Sequence, residues 1–368
     1  MNVLKVRKDF PVTRDVVFFD VANHSPPSMP VRKAIRAYLT DWDRLARRGD
    51  ERVEEANQSF ARLIGAKPEE VACQPNTSMG LTTVAEAVGL ERGMNVVVND
   101  LENPANLYPW MNQRWKGVDI RIVRGVGGEV RTGDVEAAVD DKTRVLAISH
   151  VEWLTGARHD LKAMAEIAHD HSAFLVVDGI QSAGSLQVDV KRDDVDFFAC
   201  GSYKWLLGPS GAGFLYARKE LVNNLKPNLF GYRAVEQHSL EEPRLKASAK
   251  RFEFGEPSYL SFVGTKAAID MILRLGPKNI EERVLQLSGM LMDGLLESGV
   301  EVASPTDRAL RSGIVSFQTE DTKILYDSLI GAGFMVSLRR AGIRVSPDFY
   351  NTEEEVTLFL EHVKSITP

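Results

Sequence analysis

The spacing of apolar positions predicts a large central region between about residues 95 and 217. Short runs rich in β-branched and aromatic residues alternate there with helical stretches, at residues 96–98, 120–123, 145–149, 174–177, 195–199 and 214–216. Continuous apolar strands separated by helices, such as the one at residues 161–169, are typical of a mostly parallel sheet that is covered on both faces. We therefore predict an α/β domain in the middle of the chain.

Helical periodicity flanks this region, and the pattern changes again toward the end of the chain. Helices are predicted at residues 30–45, 51–64 and 77–88 before it, and at residues 263–275 and 280–296 after it. Strand-like segments at residues 300–303, 313–318, 334–338 and 343–345 then surround a helix at 322–332, and a last helix covers residues 352–366. This mixture predicts a smaller α+β domain. The expected division is an N-terminal segment at 1–15, a large domain at 16–258, and an interdomain helix with the small domain at 259–368.

Composition and charge narrow the classes of partner. Of the 368 residues, 44% are hydrophobic and 26% are charged, which allows a large buried core. The net charge is −6, and acidic and basic residues are interleaved, so we expect no nucleic-acid partner. No apolar stretch reaches the roughly 18 residues that cross a bilayer, so we expect no membrane partner and a cytoplasmic protein.

The cysteines, histidines and glycines do not predict a metal, disulfide or nicotinamide site. Cys73 and Cys200 lie far apart at the ends of apolar segments, so both are expected to be small, inert, buried residues. His169 and His171 are two positions apart at a predicted helix end, which does not place both rings on one face. The glycines at residues 125–128 lack the third glycine and the strand-turn-helix context of a dinucleotide site.

Two polar side chains follow neighbouring predicted strands. Asp178 ends the apolar run at residues 174–177, and Lys204 comes just past the end of the next run. Ligands of open α/β sheets bind beyond the carboxyl ends of the strands, so both side chains can face one ligand. Pyridoxal phosphate (PLP) chemistry needs this pair, a lysine that forms a Schiff base and a carboxylate that keeps the pyridine nitrogen protonated. Asp178 alone is explained equally well as an acid at a strand end or a helix cap, and Lys204 alone is better explained as a solvated lysine, but the combination favours PLP.

Further polar residues can serve such a cofactor. Asn76, Thr77 and Ser78 place hydroxyl and backbone N–H groups at the predicted start of a helix, which suits a phosphate. An ordinary helix cap explains the same residues equally well. Gln181, three residues after Asp178, can hydrogen-bond the phenolate oxygen of the cofactor ring.

Three motifs then establish a resemblance to a known family. They are Val176-Val-Asp178-Gly-Ile-Gln181-Ser, Gly201-Ser-Tyr-Lys204-Trp and Ile343-Arg344-Val-Ser-Pro-Asp348. With these motifs in this order, the chain resembles the class V aminotransferase family from about Phe18 to the final helix. The resemblance implies the fold of fold type I PLP enzymes, with a large, mostly parallel, seven-stranded sheet domain and a smaller C-terminal α+β domain. It also implies a homodimer with active sites at the subunit interface.

The resemblance also implies roles for individual residues. Lys204 carries the Schiff base, Asp178 contacts the pyridine nitrogen, and Arg344 binds the substrate carboxylate. Gln181 contacts the phenolate oxygen, and Thr77 and Ser202 lie near the phosphate. The family pattern adds cofactor contacts at Ser78, Asn103 and Tyr203, and substrate contacts at Asn23 and His24.

Several positions depart from the pattern of cysteine desulfurases in this superfamily. Asn103 stands where those enzymes carry a ring-stacking histidine, and Tyr203 stands where a histidine precedes their lysine. Residues 334–344 lack their cysteine, and Glu256 occupies the place of a threonine that contacts the phosphate of the partner subunit. Residues 150–160 are similar to the corresponding stretch of kynureninases.

These observations predict a PLP-dependent enzyme that acts on a small amino acid, with aminotransfer as the leading reaction. A carbon–sulfur or carbon–carbon lyase, of the cysteine desulfurase or kynureninase kind, and an amino-acid epimerase are the alternatives within PLP chemistry. A PLP-binding protein without turnover is the alternative of another class. Arg344 argues against it, because a pure binder needs no clamp for a substrate carboxylate.

Overall fold

The computed structural model describes residues 1–45, 48–227 and 229–366. The chain begins with helix α1 (Val3–Arg7), strand β1 (Val17–Phe18) and helices α2 (Met29–Thr40), α3 (Trp42–Leu45) and α4 (Gly49–Leu63). The central region then contains strands β2 (Val71–Gln74), β3 (Asn95–Asn99), β4 (Asp119–Val123), β5 (Thr143–Ser149), β6 (Phe174–Asp178), β7 (Phe197–Gly201) and β8 (Gly213–Ala217). Helices between these strands are α5 (Thr77–Ala87), α6 (Pro104–Met111), α7 (Thr132–Ala138) and α8 (Leu161–Asp170).

The seven central strands form one sheet in the order β2-β8-β7-β6-β5-β3-β4. Strand β8 is antiparallel to both of its neighbours, and the other neighbouring pairs are parallel. Each of the six predicted runs forms a strand. The mostly parallel, seven-stranded sheet that the family resemblance implies is confirmed. The seventh strand, β2, was not predicted from the apolar pattern.

Side chains from alternate positions of these strands form two cores, one on each face of the sheet. Val176 on β6 packs into the core that contains Leu81 of α5, whereas Leu175 and Val177 pack into the core that contains Met164 of α8. Helix α8 is typical of the covering helices. Its N-cap Asp160 accepts the N–H groups of residues 162 and 163, and its buried residues are Leu161, Met164, Ala165 and Ala168.

The chain continues into the small domain through helix α9 (Lys219–Val222), the hairpin of β9 (Val235–Gln237) and β10 (Arg244–Leu245), and the long helices α10 (Tyr259–Leu275) and α11 (Pro277–Glu297). The remaining elements are β11 (Glu301–Val302), β12 (Val315–Gln318), α12 (Thr322–Gly331), β13 (Phe334–Met335), β14 (Ser337–Arg339), β15 (Gly342–Val345) and α13 (Glu353–Ile366). Four of these strands form an antiparallel sheet in the order β11-β12-β15-β14.

The start of the chain is joined to this small domain. Strand β1 pairs in parallel with β13, and Phe19 packs in the small domain's core with Phe317 and Phe359. The domain limits at residues 16 and 259 stay a prediction, while this pairing shows that residues 17–19 contact the C-terminal part directly. In the described part of the chain, no helix has both the length and the apolar content that a membrane crossing requires.

Candidate active site at the meeting of two sheets

Asp178 is the last residue of β6, and its side chain is only 2% exposed. Its Oδ1 accepts the backbone N–H of Ile180 at 2.9 Å. The next residue must be glycine, because a Cβ on Gly179 would lie 1.8 Å from the ring of Phe198. Burial raises the pKa of Asp178 to about 6, against the lowering effects of the Ile180 N–H and of the Lys204 charge. A carboxylate in this position can hold a cationic N–H group of a ligand.

Lys204 lies in the loop after β7, the strand next to β6 in the sheet, and it is 9% exposed. The loop is fixed on both sides of the lysine, because the Tyr203 carbonyl accepts the N–H of Ser25 and the Lys204 carbonyl accepts the N–H of Leu207, both at 2.8 Å. Burial lowers the pKa of Lys204 to about 8, although the nearby Asp178 charge raises it. An amine with this pKa is available as a nucleophile and as a base near neutral pH.

The predicted phosphate residues lie where α5 begins, beside the end of β7. Asn76 caps the helix by accepting the N–H of Met79 at 2.9 Å, and Ser78 is exposed in the first turn. The Thr77 hydroxyl oxygen accepts the N–H of Gly201 at 2.8 Å. The hydroxyl of Ser202 points to the backbone carbonyls of residues 209 and 212. The structure therefore brings Thr77 and Ser202 together, and both make backbone contacts.

Gln181 connects the sheet edge to the N-terminal segment. Its Nε2 donates to the carbonyl of Ala22 at 3.0 Å, and its Oε1 accepts the indole N–H of Trp205 at 2.9 Å. The second hydrogen of the Gln181 amide is free to serve another acceptor. The side chain is thus held in one orientation beside Asp178 and Lys204.

The remaining predicted contacts lie around the same space. Asn103 is the N-cap of α6 and accepts the N–H of Ala105 at 3.0 Å. The rings of His24 and Tyr203 are 5.4 Å apart with their planes tilted by 43°. Asn23 is exposed, and its amide donates to Asp20 Oδ2 at 3.1 Å.

Glu256, the residue at the position of the family's threonine, is exposed and accepts the hydroxyl of Tyr232 at 2.5 Å. The hydroxyl of Ser258 shares a hydrogen bond of 2.8 Å with that of Ser261. An ionised carboxylate only accepts hydrogen bonds, so Glu256 cannot donate one to a phosphate as a threonine does.

Arg344 comes from the small domain. It lies on β15, is 1% exposed, and donates from Nη1 to the carbonyl of Trp153 at 2.9 Å. Its Nη2 is 3.7 Å from Asp20 Oδ1, which is too far for a hydrogen bond. Burial lowers the pKa of Arg344 to about 10, and the Asp20 charge opposes this. Asp20 is thus an ion-pair partner of Arg344, but the buried Nε of Arg344 has no hydrogen-bond partner among the described residues, which suits a site that an anion completes.

A group of buried acids behind Asn103 was not identified from the sequence. The Nδ2 of Asn99 donates to Glu102 at 3.0 Å and to Glu152 at 2.9 Å, and His159 Nε2 lies 3.1 Å from Glu152. Burial raises the pKa of Glu152 to about 8 and raises that of Glu102 strongly as well. The one available signal was the position of these acids after the ends of β3 and β5, next to the predicted site.

The residues around Lys204 fit PLP. A buried lysine and a buried carboxylate lie at the ends of adjacent strands, a helix begins beside them, and a buried arginine faces them from the small domain. Sequence comparison decides the family, since a profile of class V aminotransferases matches residues 17–359. The chain belongs to the class V aminotransferase family. Members of this family use PLP, so the predicted cofactor and the predicted fold type I architecture are both confirmed.

Individual relatives cover almost the whole chain. A probable cysteine desulfurase of Methanothermobacter thermautotrophicus is 31% identical over 100% of this chain and 98% of its own length. An uncharacterized aminotransferase of Bacillus subtilis is 30% identical, with coverages of 98% and 97%. The solved apo structure of a cysteine desulfurase from Thermococcus onnurineus is 30% identical with a TM-score of 0.92, covering 99% of this chain and 98% of that one. This class V member is therefore a PLP-dependent enzyme.

Proposed function

We propose that this class V enzyme acts on a small amino acid through Lys204, with aminotransfer as its leading reaction. The pairing of buried Asp178 with buried Lys204 at the ends of adjacent strands is the observation that supports this proposal most strongly. When bound, PLP supplies an electron-accepting ring that stabilises negative charge at the substrate's α-carbon.

In this proposal each of four side chains has a separate role. Lys204 is the attachment point for the cofactor and, with its lowered pKa, the base that removes and returns the α-proton. Asp178 holds a proton on the pyridine nitrogen, and Gln181 binds the ring oxygen. Arg344 orients the substrate through its carboxylate, because a guanidinium can form two parallel hydrogen bonds to it.

The cysteines separate the proposed reaction from desulfuration by a persulfide relay. Cys73 lies in β2 and Cys200 in β7, and both are buried in the sheet. Burial raises the pKa of both thiols well above the ordinary value, which disfavours the thiolate that a relay needs. A carbon–sulfur lyase that needs no relay cysteine is the second candidate, which the similarity to cysteine desulfurases favours.

Product analysis separates these candidates. The cofactor-loaded protein is incubated with an amino-acid donor panel and one 2-oxo acid acceptor, and the products are measured by mass spectrometry. Aminotransfer predicts formation of the donor's oxo acid together with the acceptor's amino acid. Release of sulfide, pyruvate and ammonia from cysteine by β-elimination, without amino transfer, would replace the proposal with the lyase.

The proposal includes a cytoplasmic homodimer with its active sites at the subunit interface. A cavity of about 390 Å³ beside the start of α5 supports the interface, since its lining is largely apolar and open to the surface. It includes Met79, Phe254 and Pro257, and Phe254 is 58% exposed. Sedimentation of the cofactor-loaded protein tests the dimer.

A further inference from the structure

A second arginine shares the face of the small sheet that carries Arg344. In the pairing of β14 with β15, Ser337 lies opposite Arg344 and Arg339 lies opposite Gly342. Since side chains alternate along a strand, Arg339 and Arg344 point to the same face, as diagonal neighbours that long side chains can bridge. Arg340 lies in the turn after β14, is exposed, and donates to the carbonyl of Asp100 at 3.1 Å.

Both guanidiniums on this face have an unused donor. Arg339 donates from Nη2 to Asn23 Oδ1 at 3.1 Å, but its Nε is buried and has no hydrogen-bond partner among residues 1–45, 48–227 and 229–366. The Nε of Arg344 is buried in the same way and is likewise without a partner in those ranges. Leaving a buried charged donor unpaired is costly, so two such donors side by side indicate a place where acceptors bind.

Asp20 is the acid next to these arginines, and its oxygens are held by neutral groups. Its Oδ1 accepts the hydroxyl of Ser337 at 2.6 Å, and its Oδ2 accepts the amide of Asn23 at 3.1 Å. Burial raises the pKa of Asp20, whereas the hydrogen bond from Ser337 and the charges of Arg344 and Arg339 lower it. Asp20 forms an ion pair with Arg344 at 3.7 Å, so one carboxylate is shared by two guanidiniums and offsets only part of their positive charge.

The charges of both arginines act on the reacting amine. The charges of Arg344 and Arg339 both lower the pKa of Lys204, in addition to the larger effect of burial, so both charges act on its Nζ. Asp178 is the acid that opposes them at this amine. Two positive charges from one face of the small sheet therefore act at Lys204.

We propose that Arg339 binds a second anionic group of the substrate, so that the enzyme acts on amino acids whose side chain ends in a carboxylate. This inference rests on the proposed function, because it assigns the α-carboxylate to Arg344. A guanidinium can hold a planar carboxylate through two parallel hydrogen bonds. A neutral side chain of the same shape leaves the buried Nε of Arg339 unpaired, and such a site rejects it.

Binding of dicarboxylates without an amino group tests the inference independently of turnover. Malonate, succinate and glutarate are compared with propionate, butyrate and pentanoate by calorimetry on the cofactor-loaded protein. We expect the best dicarboxylate to bind about tenfold to a hundredfold more tightly than its monocarboxylate counterpart. Arg339→Gln removes this preference, whereas Arg340→Gln, a neighbouring change in the exposed turn after β14, keeps it. Arg344→Gln weakens binding of both classes.

Turnover gives a second readout for substrates that carry an amino group. The ratio of kcat/KM for aspartate over asparagine, and for glutamate over glutamine, is expected to fall about tenfold or more in Arg339→Gln and to stay within about twofold in Arg340→Gln. The inference is overturned if the wild type binds none of the three dicarboxylates more tightly than its monocarboxylate counterpart, or if the preference survives in Arg339→Gln. If Lys204 carries the cofactor and this preference is absent, the inference alone fails; if the preference is present and Lys204 carries no cofactor, the proposed function alone fails.

Discussion

The two sheets contribute to the candidate site in different ways. In the large sheet, Asp178 and Lys204 come after the ends of neighbouring strands, where many ligands of parallel sheets bind. In the small sheet, Arg339 and Arg344 lie within short antiparallel strands, and their direction depends on the pairing of β14 with β15. Position along the chain is therefore enough to locate the first pair, whereas the second pair requires the register.

The first prediction concerns Asp178 of the large sheet and has the largest expected effect on turnover. Asp178→Asn is expected to lower kcat by a factor of about 10² to 10⁴, because an amide cannot hold the proton on the pyridine nitrogen. The measurement is steady-state turnover with the best amino donor, together with the absorbance of bound cofactor. Retained cofactor with near wild-type turnover would contradict the assigned role, and a thermal melt confirms that the variant is folded.

The second prediction acts on the small sheet. Arg344→Lys is expected to weaken substrate binding by roughly 1.5 to 3 kcal/mol, since a point charge replaces a planar fork. Cofactor binding should be unchanged. The absorbance of the cofactor-loaded protein is titrated with substrate, and Arg340→Lys is the control. If Arg344→Lys binds normally and Arg339→Lys does not, the α-carboxylate site belongs to Arg339.

The third prediction concerns the pH dependence of the reaction of Lys204 with PLP, which residues of both sheets influence. The pKa of Lys204 is lowered to about 8, so its amine is protonated below that pH and nucleophilic above it. The rate at which apoprotein takes up PLP covalently should rise about tenfold per pH unit up to pH 8 and then level off. An ordinary lysine would give a rate that continues to rise toward pH 10.

The Arg344→Gln variant tests whether the small sheet contributes to this pKa. The charge of Arg344, on the small sheet, lowers the pKa of Lys204, which follows a strand of the large sheet. Its removal is expected to move the plateau to higher pH. A plateau at the wild-type pH in that variant would show that the small sheet does not act on the amine.

The fourth prediction is that treatment with a thiol reagent does not change turnover. Alkylation with iodoacetamide under native conditions should leave turnover unchanged, because Cys73 and Cys200 are buried and the pKa of each thiol is raised by burial. Peptide mapping checks that neither thiol is modified. A persulfide on either cysteine during turnover with cysteine would make relay desulfuration the leading reaction.

Much of the large domain could be predicted from the sequence, because buried parallel strands are continuous apolar runs with helices between them. Helix α6 was not predicted, since its eight residues include Pro109 and show no clear stripe. Strand-end polar residues such as Asp178 are visible for the same reason, because they interrupt an apolar run. The cofactor prediction followed from them.

The finer parts of the site depend on contacts between distant segments. Arg339 and Arg340 could not be told apart from the sequence, because a shift of one residue in a strand exchanges its two faces. The bonds from Asn99 to Glu102 and Glu152 join the ends of β3 and β5, and no local pattern reveals such a network. Gln181 was predicted as a ring contact, and its bonds to Ala22 and Trp205 appear only in the folded chain.

The most direct test of the account is to locate the attachment of the cofactor. The purified protein, loaded with PLP, is reduced with borohydride and digested, and the labelled peptide is identified by mass spectrometry. We predict that the pyridoxyl group is on Lys204 and that Lys204→Ala has no covalent label while still folding. A label on another lysine of the wild type, or a fully labelled Lys204→Ala, would contradict the central claim.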